Sequence, residues 1–140
     1  MLYQRIVGSA LAATVLAISF AISAEDANGT KLLETLQAGL TSARSLPNGS
    51  RPAPPDLELK DLVGLDRSSV RRFLDRPSYC EPEESNACAQ SASWTYVWGP
   101  PSAPPEERDG YIIVTTGGPW LLVVEFAKNR VSGARWQGQR

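Results

Sequence analysis

Residues able to carry chemistry are few in this chain of 140 residues, which has no histidine and two cysteines. Without histidine, the Ser-His-Asp and Cys-His routes to an activated nucleophile are absent. Cys80 and Cys88 close a short loop, and in an oxidising compartment such a pair forms a disulfide, leaving no thiolate. A zinc site is the alternative, but it needs further Cys, His or carboxylate ligands, and no histidine exists to complete the set. Glu81, Glu83 and Glu84 crowd the stretch between the cysteines. Paired carboxylates can serve a glycosidase, yet no second acid is placed opposite them, and an exposed acidic loop is the simpler reading. Lys31, Lys60 and Lys128 lie in no motif, and Gly29-Thr30-Lys31 lacks the upstream glycine spacing of a phosphate-binding loop. These residues predict a non-enzymatic protein with no catalytic residue, no metal ligand and no cofactor.

What remains could bind. Arg67, Arg71, Arg72 and Arg76 stand against Asp66 and Asp75 in a short span. An arginine cluster of this kind suits a phosphate or an acidic partner, although a solvated helix face has the same composition. Between Pro100 and Gly110 runs PPSAPPEERDG, long for a hairpin loop and stiffened by four prolines. Long ordered loops often carry binding. Trp98, Pro101, Pro104, Glu106 and Glu107 therefore join Arg67, Arg71 and Arg72 as candidate partner-binding residues.

Several elements must position them. In GTKLLETLQAGLTSARSL, Leu32, Leu33, Leu36 and Leu40 recur at three- and four-residue spacing, which predicts an amphipathic helix over residues 25–46. Gly39 weakens it by up to ~1 kcal/mol relative to alanine. The stripe can pack on its own domain or on a partner. Residues 47–56, PNGSRPAPPD, hold four prolines, which forbid helix and central strand and predict a stiff linker that tethers the first helix loosely. The compact unit is then 57–140.

Within it, Asp66 fits a helix N-cap, its carboxylate accepting from free N–H groups of the first turn. Leu65 and Val70 can staple across the cap. Val70, Phe73 and Leu74 make an apolar stripe, and Pro77 ends the helix. Arg71 can pair with Asp75 one turn on. From Ser91 the period becomes two. SWTYVWG, GYIIVTT, WLLVVEF and RVSGARW read as four strands, the last two joined through Asn129 in a left-handed conformation. Trp94, Tyr96 and Trp98 share one face and are buried together or presented together. Helices before strands, with turn-like links, predict an α+β two-layer sandwich: short helices on a four-stranded antiparallel meander.

Residues 1–24 have the layout of a secretory signal peptide: a positive Arg5, an apolar run from Ile6 to Phe20, and a small-residue site at Ile22-Ser23-Ala24. An uncleaved anchor is the competing reading, but the run is short for a span. Cleavage lowers the basic count from 14 to 13 against 15 acids, a net charge of −2. Such a chain has no global field for nucleic acid, and no stable membrane insertion is expected after cleavage. The expected location is periplasmic or secreted.

The segments GLDRSSVRRFLDRP, WTYVW and WLLVVEFAKNRVSGARW together resemble the SmpA/OmlA (BamE-like) domain of outer-membrane assembly factors, over about residues 59–136. Gly64, Leu65, Val70, Leu74, Pro77, Trp94, Tyr96, Val124 and Phe126 occupy the family's pattern. Asp75 and Arg76 stand where the family carries a glycine-containing turn, and no lipidation cysteine ends the leader. The resemblance implies a small helix-sheet domain of the envelope. The expected function is an exported protein-binding module linked to outer-membrane assembly or maintenance, with an envelope protein as partner. The alternative is a secreted inhibitor of a hydrolase, acting through the Pro100–Gly110 loop.

Overall fold

The computed structural model describes residues 24–83, 86, 88–101, 107–108, 111–112 and 118–138. Residues 1–23 of the expected signal peptide lie outside the described residues. The leucine spacing gives α1 (Ala24–Arg44). Its stripe of Leu32, Leu33, Leu36, Leu40 and Ala43 is buried in the same hydrophobic cluster as the strands. The helix is therefore part of the core rather than loosely tethered. Gly39 marks the reason it docks so closely: a Cβ there would lie 2.8 Å from the Trp98 ring. The proline segment does not float either. It turns at Ser50, whose N–H donates to the Pro47 carbonyl, and passes Gly99, where a Cβ would meet Ser50 O at 3.5 Å and Pro52 Cδ at 3.6 Å. It then delivers Leu59 and Leu62, both buried, in a 3₁₀ turn (Leu59–Leu62).

Next comes α2 (Arg67–Leu74). Val70 and Leu74 are fully buried, Leu65 is buried before the helix, and Phe73 is half-buried against the same core. The N-terminus differs from expectation. Asp66 is extended, and its carboxylate makes no capping hydrogen bond. Instead the Arg67 N–H donates to the Asn129 carbonyl at 2.9 Å. The physical reason is a short run of sheet-like pairing: Gly64 N–H donates to Val131 O, Val131 N–H donates to Leu65 O, and Asp66 bridges Arg130. That pairing draws the Asp66 carboxylate toward the Arg130 guanidinium, 3.4 Å away. At the other end Asp75 takes φ 64° and ψ −158°, and the chain leaves through buried Pro77.

The strands are β1 (Tyr79–Glu81), β2 (Ser93–Trp98), β3 (Glu107–Arg108), β4 (Tyr111–Ile112), β5 (Trp120–Ala127) and β6 (Arg130–Gly138). An antiparallel sheet of order β1-β2-β5-β6 carries the helices on one face, and β3-β4 forms a separate two-stranded ribbon. The α+β class and the four-stranded antiparallel sheet are as expected, but one strand is not. Tyr111–Ile112 does not join the main sheet, and Tyr79–Glu81 takes the fourth place. β5 is buried on both faces, with Leu122 and Val124 in the core and Leu121 and Val123 on the far side. A strand apolar on both faces gains most from a central position, so it pairs directly with β2. Between them in sequence, Glu107–Arg108 and Tyr111–Ile112 form the separate ribbon.

Trp94, Tyr96 and Trp98 are buried together, at 1, 0 and 3 % exposure. Trp94 meets Phe126 edge-on at 4.7 Å between centroids, and Trp98 meets Trp136 likewise at 5.0 Å. The β5–β6 turn has positive φ at both Lys128 and Asn129, as a two-residue hairpin with right-handed strand twist requires. In β6 Ser132 is an extra residue between the Val131–Phe126 and Gly133–Glu125 pairs. This bulge switches parity, so Val131, then Ala134 and Trp136, pack on the core.

Candidate functional site

The candidate site is built outward from Arg67, the first residue of α2. Its guanidinium folds back onto the sheet, 4.1 Å from the Phe126 ring centroid and 5.2 Å from that of Trp94. Arg67 Nη1 donates to the Ser91 carbonyl at 2.6 Å. Ser91 is completely buried, and its hydroxyl donates to the Pro82 carbonyl at 2.6 Å. The Trp94 indole N–H donates to the Cys88 carbonyl at 2.8 Å. Cys80 stands opposite Trp94 in the β1–β2 register and is joined to Cys88 by a disulfide, with Cα atoms 5.6 Å apart. The disulfide loop, the start of β2 and the start of α2 are thus one bonded unit. Arg67 is its centre, half-buried rather than part of a wholly solvated face.

Above this unit is an open recess of about 430 Å³. Asp66, Arg67, Ser68 and Arg71 line it from α2, Asn129 from the hairpin tip, and Trp94 and Ala89 from the disulfide side. Arg72 and Arg76 are exposed nearby on the same short segment, Arg72 lying over the Phe73 ring at 5.1 Å. The β5–β6 tip adds Lys128 and Arg130. Arg130 is fixed by its hydrogen bond to Gly64 O at 2.9 Å and its contact with Asp66. Arg67, Arg71, Arg72, Arg76, Lys128 and Arg130 belong to these two segments with Asp66 and Asp75, and the exposed Glu81 and Glu83 stand on the disulfide loop bonded to Arg67 through Ser91.

Of the residues expected to bind a partner, Arg67, Arg71 and Arg72 are brought together on α2. Trp98 is not on the surface. It lies in the core beneath α1, because the strand face it shares with Trp94 and Tyr96 is the face the helices cover. Pro101 is exposed but follows the Trp98 end of β2, roughly 13 Å of strand from the Trp94 end. Glu107 opens β3, paired with Ile112. Pro104 and Glu106 lie outside the described residues. Sequence reasoning missed Lys128, Asn129, Arg130 and Ser91. The hairpin residues carried a signal in their turn, but their position against α2 is a long-range pairing that no local pattern encodes.

Elsewhere, the Tyr96 hydroxyl donates to the Asp75 carbonyl at 3.0 Å, and burial holds its phenol far above the ordinary range. Lys60 and Glu58 pair at 2.7 Å on the surface. Their hydrogen bond lowers the Glu58 pKa and raises that of Lys60. Among the described residues, no group of three or more His, Cys, Asp or Glu could hold a metal ion. Also among them, no helix is long and apolar enough to cross a membrane.

No match decides a family. No family model, curated protein or solved structure matches this chain.

Proposed function

We propose that this chain is an exported, non-enzymatic protein-binding module of the cell envelope, periplasmic or secreted, serving outer-membrane assembly or maintenance. The observation that carries the reading is the disulfide-held arginine face. The Cys80–Cys88 disulfide, Ser91 and Trp94 hold Arg67 in one place while Arg72 and Arg76 stay exposed. A surface held rigid before binding loses less ordering entropy when a partner arrives. Both cysteines are consumed in the disulfide, so neither supplies a thiolate nucleophile. Disulfides persist in oxidising compartments, which agrees with the leader-like residues 1–24. The resemblance to SmpA/OmlA domains supports the outer-membrane part of the reading.

The test has two arms. Cell fractionation with thiol labelling should find the protein in the envelope or medium, with both cysteines blocked until reduced. A photo-crosslinking residue placed at Arg72 or Arg76 should give a discrete adduct with an envelope protein. A protein retained in the cytosol with two free thiols, or no adduct from either position, overturns the proposal.

A further inference from the structure

Asn-Gly pairs stand at Asn28-Gly29 and at Asn48-Gly49, and the fold treats the two in opposite ways. We infer that Asn48 is a site of spontaneous covalent modification, deamidation through a cyclic imide formed with the Gly49 backbone nitrogen, and that the packing of α1 protects Asn28 from the same reaction. This chemistry needs no partner and is independent of the binding-module reading.

The reaction makes three demands on the chain. The residue after the asparagine must be small at its Cα, its nitrogen must be free to give up a proton, and the backbone must turn enough to bring that nitrogen onto the side-chain carbonyl carbon. Asn48 meets all three. Glycine has no Cβ to bar the approach, and no atom lies within 4 Å of the place a Gly49 Cβ would take. Asn48 and Gly49 are both exposed. Among the described residues, neither the Gly49 N–H nor the Asn48 side chain is held by a hydrogen bond. The turn that contains them is closed by the bond from Ser50 N–H to the Pro47 carbonyl at 3.0 Å, with Gly49 at φ 87°, the conformation that asks for glycine at its third position. An exposed turn of this kind opens locally at little cost.

Asn28 has the same neighbour and none of the same freedom. α1 spans Ala24–Arg44, and in a helix the Gly29 N–H is committed to the carbonyl four residues back, that of Glu25. Gly29 is also buried. A Cβ there would lie 2.7 Å from the Asp61 carbonyl oxygen and 2.9 Å from the Leu65 methyls. To reach the imide, this pair must lift the start of α1 off the core.

The bonds balance with water as the only co-reactant. Gly49 N loses its proton and bonds to Asn48 Cγ. The Cγ–Nδ2 bond breaks, and ammonia leaves with that proton. Water then opens the imide, its hydroxyl adding to one imide carbonyl and its hydrogen returning to the nitrogen. Opening at Cγ gives aspartate. Opening at the Asn48 backbone carbonyl gives isoaspartate, in which the main chain runs through Cβ and Cγ. Either product carries one more negative charge at neutral pH. The iso product also lengthens the turn that leads from α1 toward the Leu59–Leu62 segment.

In the test, the disulfide-bonded protein is held for days in warm, mildly alkaline buffer and sampled by ion-exchange chromatography and by peptide mapping with mass spectrometry. An acidic species should accumulate and map to Asn48, with isoaspartate detected by isoaspartate-specific enzymatic methylation. Conversion at Asn48 should outrun that at Asn28 by about tenfold or more, because the docked helix must open first. In urea, with the disulfide reduced, the two pairs should convert within about twofold of each other, since the folded context is gone. Asn48→Gln should abolish the acidic species of the native protein, because the longer side chain has to close a larger ring. Asn28→Gln should leave it. Both positions are exposed, and near-UV circular dichroism of each variant should match that of the parent.

The inference is overturned if the native protein yields no acidic species, if Asn28 converts as fast as Asn48, or if the species persists in Asn48→Gln. A tenfold difference that survives in urea would mean that the flanking residues, rather than the packing of α1, set the rates, and would overturn the protection assigned to Asn28.

Discussion

Asp75 occupies a backbone position that side chains rarely tolerate, with φ 64° and ψ −158°. That region belongs almost entirely to glycine and costs another residue on the order of 1–3 kcal/mol. The Asp75 N–H still bonds to Arg71 O, and its carbonyl accepts from Tyr96, so the surrounding structure holds the strain in place. Asp75→Gly should therefore raise the unfolding free energy by roughly 1 kcal/mol, after the extra entropy of glycine in the unfolded chain is subtracted. Chemical denaturation would show it as a higher midpoint with an unchanged slope. Tyr96 makes the complementary prediction. Its phenol is buried and stays protonated to higher pH in the folded state than in the unfolded chain, where it titrates near 10. Above that pH the folded state binds the extra proton, so stability falls as pH rises, by up to about 1.4 kcal/mol per unit from this group. Tyr96→Phe should cost about 1–2 kcal/mol at neutral pH, because the Asp75 carbonyl loses its donor. The variant should also show a shallower alkaline loss than the parent, measured as unfolding midpoints from pH 9 to about pH 11.

At the scale of elements, local patterns and long-range pairings were not equally legible. α1 and α2 could be read because a helix writes its buried stripe at three- and four-residue spacing, and Leu32 to Leu40 and Val70 to Leu74 do so. β2 and β5 could be read from alternation and from an apolar run. β1 could not, since Tyr79–Glu81 has three residues and only one is even half-buried. Its place is set by pairing with Thr95, Trp94 and Ser93, which is a fact about another strand. The bulge at Ser132 was also hidden. It changes which residues of β6 face the core, a choice made by packing against β5. The same distinction explains the site: Arg67, Arg71 and Arg72 were visible as a local cluster, whereas Arg130 and Ser91 reach it only through the fold. Gly39 shows propensity and packing in conflict. Taken alone, alanine there would favour the helix by up to about 1 kcal/mol. In the folded protein its methyl would sit 2.8 Å from the Trp98 ring, and overpacking of a fixed aromatic typically costs about 1–3 kcal/mol. Gly39→Ala should lower the thermal midpoint while raising the helicity of an isolated α1 peptide. A midpoint that rises would show that α1 does not press on Trp98.

Across the whole molecule, the disulfide does more than close a small loop. By chain entropy alone, a loop of this length contributes roughly 2.5 kcal/mol. The bonded unit around it makes a sharper claim, about where the loss would be felt. Cys88 holds the carbonyl that Trp94 donates to, Pro82 holds the carbonyl that Ser91 donates to, and Ser91 holds Arg67. Loosening the loop therefore releases acceptors from two buried donors and removes the anchor of the guanidinium stacked on Phe126. In the double variant Cys80→Ser/Cys88→Ser, global stability should fall by about 2–3 kcal/mol. Amide exchange should accelerate first at residues 88–94 and at the start of α2, while α1 and the β5–β6 pairing keep protection close to the reduced global limit. The Trp94 indole proton, a distinct resonance in a protein with four tryptophans, should exchange faster and shift. If exchange rises uniformly, with no excess at Ser91, Trp94 or Arg67, the disulfide stabilises the chain only through its unfolded state. The arginine face would then be independent of it.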